Sequence, residues 1–345
     1  MRVTRLDEHL AAISPPQLEA VESASLASTD VLVVCAGFED RATEVLKRAV
    51  AGGGRDFRVV CVEYLPRNDT NRSAEVRELC ERAGARQETW VFDRENPAGA
   101  AEELLRRAGA GQLQVDISGM SRLLVVQLLA RATRERLLGR TTLWYTEALE
   151  YPPSREEVEA RLADSGDALG VAMFLSSGVF GLTVVPELSS VAMQGQPIVL
   201  TAFPSWNPMQ LAALRAELQA SFFVIVHGVP PDDANAWRPE AIARLNRSET
   251  LLPQLEVRAG TLDYRETLKA LLDVYRAHAR REKIVVAPTG SKMQSVAVGI
   301  VCGWLSDLQV VYPTPRTFSA PTEYTRGVKA LYRLPLGSFE RPDVG

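Results

Sequence analysis

The sequence has no apolar run of the roughly 18 to 20 residues that a membrane span requires. Its longest candidate, 285–303, is broken by Pro288, Lys292 and Gln294. Cysteine is scarce: Cys35, Cys61, Cys80 and Cys302 form no Cys-x-x-Cys pair, which argues against a disulfide framework or a zinc site. The histidines, His9, His227 and His278, are too dispersed to suggest a metal cluster, so neither metal nor cofactor is expected. Positive charge is not in excess. A net charge of −4 excludes a general affinity for duplex nucleic acid, although a local basic pocket stays open. The first residues lack the apolar core of a secretory signal. Together these absences predict a cytoplasmic protein.

What is present is a chain of 345 residues, 46% hydrophobic and 24% charged, long enough for two globular domains. It also repeats itself. An apolar strand at 30–36 turns at Gly37-Phe-Glu-Asp-Arg into a helical pattern at 42–50; a strand at 197–202 turns at Phe203-Pro-Ser-Trp-Asn-Pro into a helix at 209–218. Second strands at 57–64 and 222–228 lead into polar loops, and third strands follow at 88–92 and 254–258. Amphipathic helices at 98–108 and 264–279, fourth strands at 113–117 and 283–287, apolar helices at 123–132 and 293–305, and fifth strands at 142–146 and 308–312 complete each half. Strands alternating with helices predict parallel sheets covered on both faces. The expected fold is therefore α/β, with two tandem Rossmann-like units related by a pseudo-two-fold. The boundaries read as an N-terminal decoration at 1–29 with a helical pattern through 18–26, a first unit at 30–157, a connector at 158–196 and a second unit at 197–345. Within the connector, 174–186 could add an edge strand or a helix to either unit.

Ligands of open α/β sheets bind beyond the carboxyl ends of the strands, where the fourth strands here run into Ser118-Gly-Met-Ser-Arg and Pro288-Thr-Gly-Ser-Lys. A loop opening directly into a helix offers free backbone N–H groups to an anion. Gly119 and Gly290 permit close approach or a positive φ; Ser118, Ser121, Thr289 and Ser291 bring hydroxyls; Arg122 and Lys292 bring charge at matching places. The plainer role of these serines and threonines is to cap the helix that follows. The order Gly-Ser-Lys, without an upstream glycine, departs from a P-loop, and no Gly-x-Gly-x-x-Gly marks a dinucleotide fingerprint. Glu39, Arg41, Trp206 and Asn207 in the first βα turns, with Tyr145 and Arg316 beyond the fifth strands, complete the candidate ligand-binding set. An aromatic at a turn more often packs than stacks on a base, so Trp206 leans toward the core.

The segment Ile284-Val-Val-Ala-Pro-Thr-Gly-Ser-Lys-Met-Gln-Ser-Val-Ala-Val-Gly, followed by Leu308-Gln-Val-Val-Tyr, resembles the signature of CRISPR-associated Rossmann-fold (CARF) ligand-sensing domains, in which a strand ends in an Asn-x-Thr-Gly-Gly-Thr-Lys type of loop. Asp116-Ile-Ser-Gly-Met-Ser-Arg, with Trp144 and Tyr145 downstream, resembles it more weakly. Ala287 and Asp116 replace the leading Asn, and Ser291 and Met120 the second glycine. The resemblance implies a sensor of a nucleotide second messenger in bacterial or archaeal antiviral defence, binding its ligand across two units and signalling to a separate effector protein, with a homodimer as a further arrangement. Two alternatives stand beside it. One is a metal-independent phosphodiesterase of the ring-nuclease kind, with Ser291 and Lys292 as candidate catalytic groups; the other is a non-catalytic assembly subunit of a defence complex.

Overall fold

A computed structural model describes residues 14–165, 176–247, 254–318, 324–337 and 339. The chain divides into two compact units, Met1–Tyr151 with Thr325–Gly345, and Pro152–Tyr324.

The first unit begins with β1 (Glu19–Val21), β2 (Asp30–Cys35), α1 (Glu44–Ala51), β3 (Arg58–Leu65), α2 (Ser73–Ala83), β4 (Arg86–Asp93), α3 (Ala100–Ala108), β5 (Gln112–Asp116), α4 (Arg122–Arg134) and β6 (Thr141–Glu147). The second holds α5 (Arg155–Ser165), β7 (Ser176–Ser177), β8 (Gly181–Thr183), β9 (Ile198–Ala202), α6 (Pro208–Leu218), β10 (Phe222–Val229), α7 (Arg238–Leu245), β11 (Gln254–Gly260), α8 (Tyr264–His278), β12 (Lys283–Ala287), α9 (Lys292–Trp304), β13 (Gln309–Val310), β14 (Tyr312–Thr314) and β15 (Thr317–Phe318). The chain then returns to the first unit as β16 (Ala330–Pro335).

The first sheet runs β1-β16-β6-β5-β2-β3-β4 and the second β11-β10-β9-β12-β13. Strands β2 to β6, and all five of the second sheet, are parallel. The protein is thus α/β with mainly parallel sheets. The central strands β2 and β12 are buried at every position, and apolar after Asp30 and Lys283 at their starts, because helices cover both faces. Helix α9 is buried from Met293 to Trp304. Each of its buried valines and isoleucines contributes on the order of 1.5–3 kcal/mol relative to exposure.

Four boundaries differ from the sequence reading. The C-terminal strand leaves the second unit, since β16 pairs antiparallel with β6, from Ala330 opposite Glu147 to Pro335 opposite Thr142. Without it β6, buried at all seven positions, would end the sheet with an open edge. The 18–26 segment, read as helical, contains the extended β1, whose backbone pairs with the outer edge of β16. The connector belongs to the second unit, where β7 pairs with β15 and β8 with β14, although residues 174 and 175 lie outside the described residues. The fifth strand of the second half splits, because Tyr312–Thr314 pairs with β8 instead and Pro313 has no N–H to give a ladder. Among the described residues no helix is long and apolar enough to cross a membrane.

Candidate functional site

In both sheets the strand order reverses direction at one point, between β2 and β5 and between β9 and β12. Open α/β sheets place ligands in the crevice at such a point. The two loops singled out from sequence, after β5 and after β12, both lie there.

In the first unit the crevice is filled by the protein itself. Ser118, fully buried, accepts a hydrogen bond at its Oγ from Thr146 N at 2.8 Å, and its own N–H donates to Asp116 Oδ1 at 2.9 Å. Gly119 is needed for closeness: an added Cβ would stand 2.6 Å from Cys35 O and 3.1 Å from Ala42 Cβ. Ser121 caps α4 by accepting from Leu124 N. Its own N–H donates to the Tyr64 phenol at 2.8 Å, and that phenol reaches Gly119 O at 3.4 Å. Burial, reinforced by neighbouring Cys35, holds the Tyr64 pKa well above the usual phenol range, so it stays protonated. Arg122 is half-buried at the first position of α4.

The second unit repeats the frame with other contents. Thr289 Oγ1 donates to Phe203 O at 2.5 Å. Ser291 caps α9 through a capping box: Gln294 N donates to Ser291 Oγ at 3.1 Å, and Ser291 N to Gln294 Oε1 at 2.8 Å. Ser291 Oγ also donates to Thr261 O at 2.7 Å. An added Cβ on Gly290 would stand 2.2 Å from Gln294 Oε1 and 3.0 Å from Phe203 Cβ. Neither loop glycine has a positive φ, so close approach accounts for both. Lys292 is half-buried at the first position of α9, as Arg122 is on α4.

Strand register matches the two sites residue by residue. Ala287 lies beside Ala202, which pairs with Ile225, and three residues further along β10 is Gly228. Val115 lies beside Val33, so Asp116 corresponds to Ala287; Val34 pairs with Cys61, and three residues further along β3 is Tyr64. Tyr64 and Gly228 are therefore counterparts. So are Leu124 and Gln294, each the third residue of its helix. A phenol wedged under the first loop is replaced in the second by a glycine and a carboxamide. Gln294 is 2% exposed, and its Nε2 has no hydrogen-bond partner among the described residues. Tyr64, Gly228, Thr261 and Gln294 were missed from sequence; only the register of β3 and β10 reveals them.

The remaining candidates fall into separate groups. Glu39, Arg41 and Tyr145 meet at the carboxyl edge of the first sheet. Arg41 Nε and Nη2 face Glu39 Oε2 at 2.9 and 2.8 Å, while Nη1 donates to Tyr145 Oη and Thr146 O, both at 3.1 Å. Its guanidinium lies 5.5 and 5.7 Å from the ring centres of Tyr145 and Tyr151. Burial opposes its charge, but Glu39 and the two phenols outweigh that and raise its pKa. Thr325 donates to Glu39 Oε2 at 2.7 Å, tying the returning chain to the same knot. Trp206 is 7% exposed, packs against Trp237 at 5.8 Å and joins Val158, Ala241 and Leu245 in an apolar cluster. Asn207, also buried, donates to Gly178 O at 3.0 Å and Ser176 Oγ at 3.3 Å. Arg316 is exposed.

No family model and no curated protein matches the chain. Among solved structures it is similar to a universal stress protein from Archaeoglobus fulgidus DSM 4304, at 11% identity and a TM-score of 0.23 over 83% of this chain and 97% of that one. A putative universal stress protein from Pseudomonas aeruginosa UCBPP-PA14 aligns at 12% identity and a TM-score of 0.22, covering 83% and 93%. Leucoanthocyanidin reductase from Vitis vinifera, in its binary complex with NADPH, aligns at 10% identity and a TM-score of 0.23, covering 79% and 85%. Scores of this size carry no argument, and the α/β assignment rests on the sheets themselves.

Proposed function

We propose that this chain is a sensor that binds a phosphodiester-linked nucleotide, with a phosphate held at the N-terminus of α9 in the second unit, and relays its bound state to a separate effector. The observation that carries this reading is Gly228. At the reversal point of the second sheet, where the first unit has a tyrosine hydrogen-bonded to its loop, the second has a glycine covered by the Thr261 methyl and the Gln294 carboxamide, beside a helix N-terminus and Lys292. Backbone N–H groups and the helix dipole at such an end favour a phosphate, and a lysine adds charge. The resemblance to CARF domains supplies the ligand class, a cyclic or linear oligonucleotide second messenger, and the antiviral setting.

Binding is favoured over cleavage by the hydroxyls. Ser118 accepts from Thr146 N, Thr289 donates to Phe203 O and Ser291 donates to Thr261 O. Each is occupied in holding its loop rather than turned out as a nucleophile. A thermal-shift screen of cyclic and linear oligonucleotides identifies the ligand, because a compound that prefers the folded state raises the apparent melting temperature. Calorimetry then tests the site: Lys292→Ala weakens binding by about 1–3 kcal/mol, the range for losing a charge-assisted hydrogen bond. Unchanged affinity removes Lys292 from the site. Cleavage products whose formation Ser291→Ala abolishes would replace the sensor with a phosphodiesterase.

A further inference from the structure

We propose that the Gln294 carboxamide is a displaceable plug, seated where a ligand phosphate oxygen would sit, which keeps the N-terminus of α9 closed until an anion moves it. The inference rests on the reading of the second unit as a phosphate-binding site and adds how that site is gated.

The seat is defined by what the carboxamide touches. Oε1 accepts the Ser291 N–H at 2.8 Å, at the start of a thirteen-residue helix. The same group lies on Gly290, with Oε1 at 2.2 Å and Cδ at 3.1 Å from where a Cβ would be. A helix-terminal N–H and a bare glycine face are what a phosphate oxygen uses in strand–loop–helix sites. An amide oxygen carries only a partial charge, so a phosphate is the stronger acceptor for the same N–H.

The other end of the side chain points to the ligand. Nε2 is buried and has no hydrogen-bond partner among the described residues, and it must be the donor end because Oε1 is fixed by the Ser291 N–H. The carboxamide lies 3.6 Å from where a Gly228 Cβ would stand, and the Thr261 methyl 2.8 Å from the same point, so the two side chains together cover the glycine. An unpaired buried donor costs free energy, so the seated rotamer is opposed by its own amide. An arriving phosphate reverses this, taking the Ser291 N–H and offering oxygens to Nε2.

The first unit fixes the contrast. There Tyr64 accepts the equivalent N–H, and its ring is held edge-on against Phe92 at 5.7 Å, 6% exposed. Gln294 reaches its seat through a flexible side chain.

Calorimetric titration of the full chain with inorganic pyrophosphate tests the plug. Gln294→Ala removes the closed fraction and is expected to bind at least about fivefold more tightly than wild type, since apparent affinity scales with the competent population. Gln294→Glu keeps the capping box, and with it the fold, but puts a negative charge in the seat; it is expected to bind at least about tenfold more weakly. Binding by Gln294→Ala that is weaker than wild type would make Gln294 a ligand donor rather than a plug. Equal binding, with Lys292→Ala still weakening it, would overturn the plug and leave the phosphate site standing. If neither wild type nor Gln294→Ala binds pyrophosphate, the phosphate site itself falls, and the plug with it.

Discussion

The loops after β5 and β12 share a hydroxyl, a glycine and a serine cap, yet a tyrosine holds the backbone of the first and a glutamine carboxamide that of the second. In the first unit Tyr64 holds Ser121 N and Gly119 O together, and Gly119 presses on the Cys35 backbone. In the second, the corresponding N–H is held by the end of a glutamine and the strand position opposite is Gly228. The same kind of strand–loop–helix junction is thus closed by different side chains in the two units. Helix caps and loop glycines occur in both because they form the junction, whereas the residue beneath it, Tyr64 or Gly228, decides which side chain holds the loop.

Alanine at the two loop glycines should widen the contrast most. At Gly119 the new Cβ meets a backbone carbonyl that cannot rotate away, and Gly119→Ala is expected to cost about 1–3 kcal/mol of stability, as for overpacked cores. At Gly290 the nearest atom is the tip of a flexible side chain, so Gly290→Ala is expected to cost less and instead to expel Gln294 from its seat. Urea denaturation of both variants checks the order. Equal losses would mean that the two junctions are equally rigid.

Tyr64→Phe should have a smaller effect, about 1 kcal/mol at neutral pH, because it strands the Ser121 N–H. It also carries a pH signature. The folded Tyr64 pKa is raised above its ordinary value of 10, so its contribution is complete below pH 10 and is lost as pH rises beyond that through the folded value. Removing it should make stability fall less steeply above pH 10, while Tyr151, Tyr264 and Tyr332, also raised chiefly by burial, supply the slope that remains. Parallel alkaline profiles for wild type and variant would show that folding does not raise the Tyr64 pKa.

Much of this was legible in the sequence because the signals are local. Continuous apolar runs such as 284–287 lie in central parallel strands, and a serine at the start of a helical pattern is a cap, as Ser121 and Ser291 are. The packing of Trp206 follows from its size. Other features depend on partners distant in the chain. Nothing within 330–335 says that it pairs with β6 and not with the second sheet, and the short β1 exists only because β16 presents an edge. Gln294 reads as one more polar residue of a helix until the register of β10 sets Gly228 beside it. Arg41 reads as one candidate of the ligand-binding set, and only the fold shows that its nitrogens face Glu39, Tyr145 and Thr146.

The central claim is that a phosphate is received at the N-terminus of α9 and not at that of α4. It is tested most directly by following backbone amide resonances of the full chain through a pyrophosphate titration. The account predicts that the amides of Gly290 and Ser291 shift in a saturable way while those of Gly119 and Ser121 stay in place. Shifts at Gly119 and Ser121, with Gly290 and Ser291 unmoved, would contradict it.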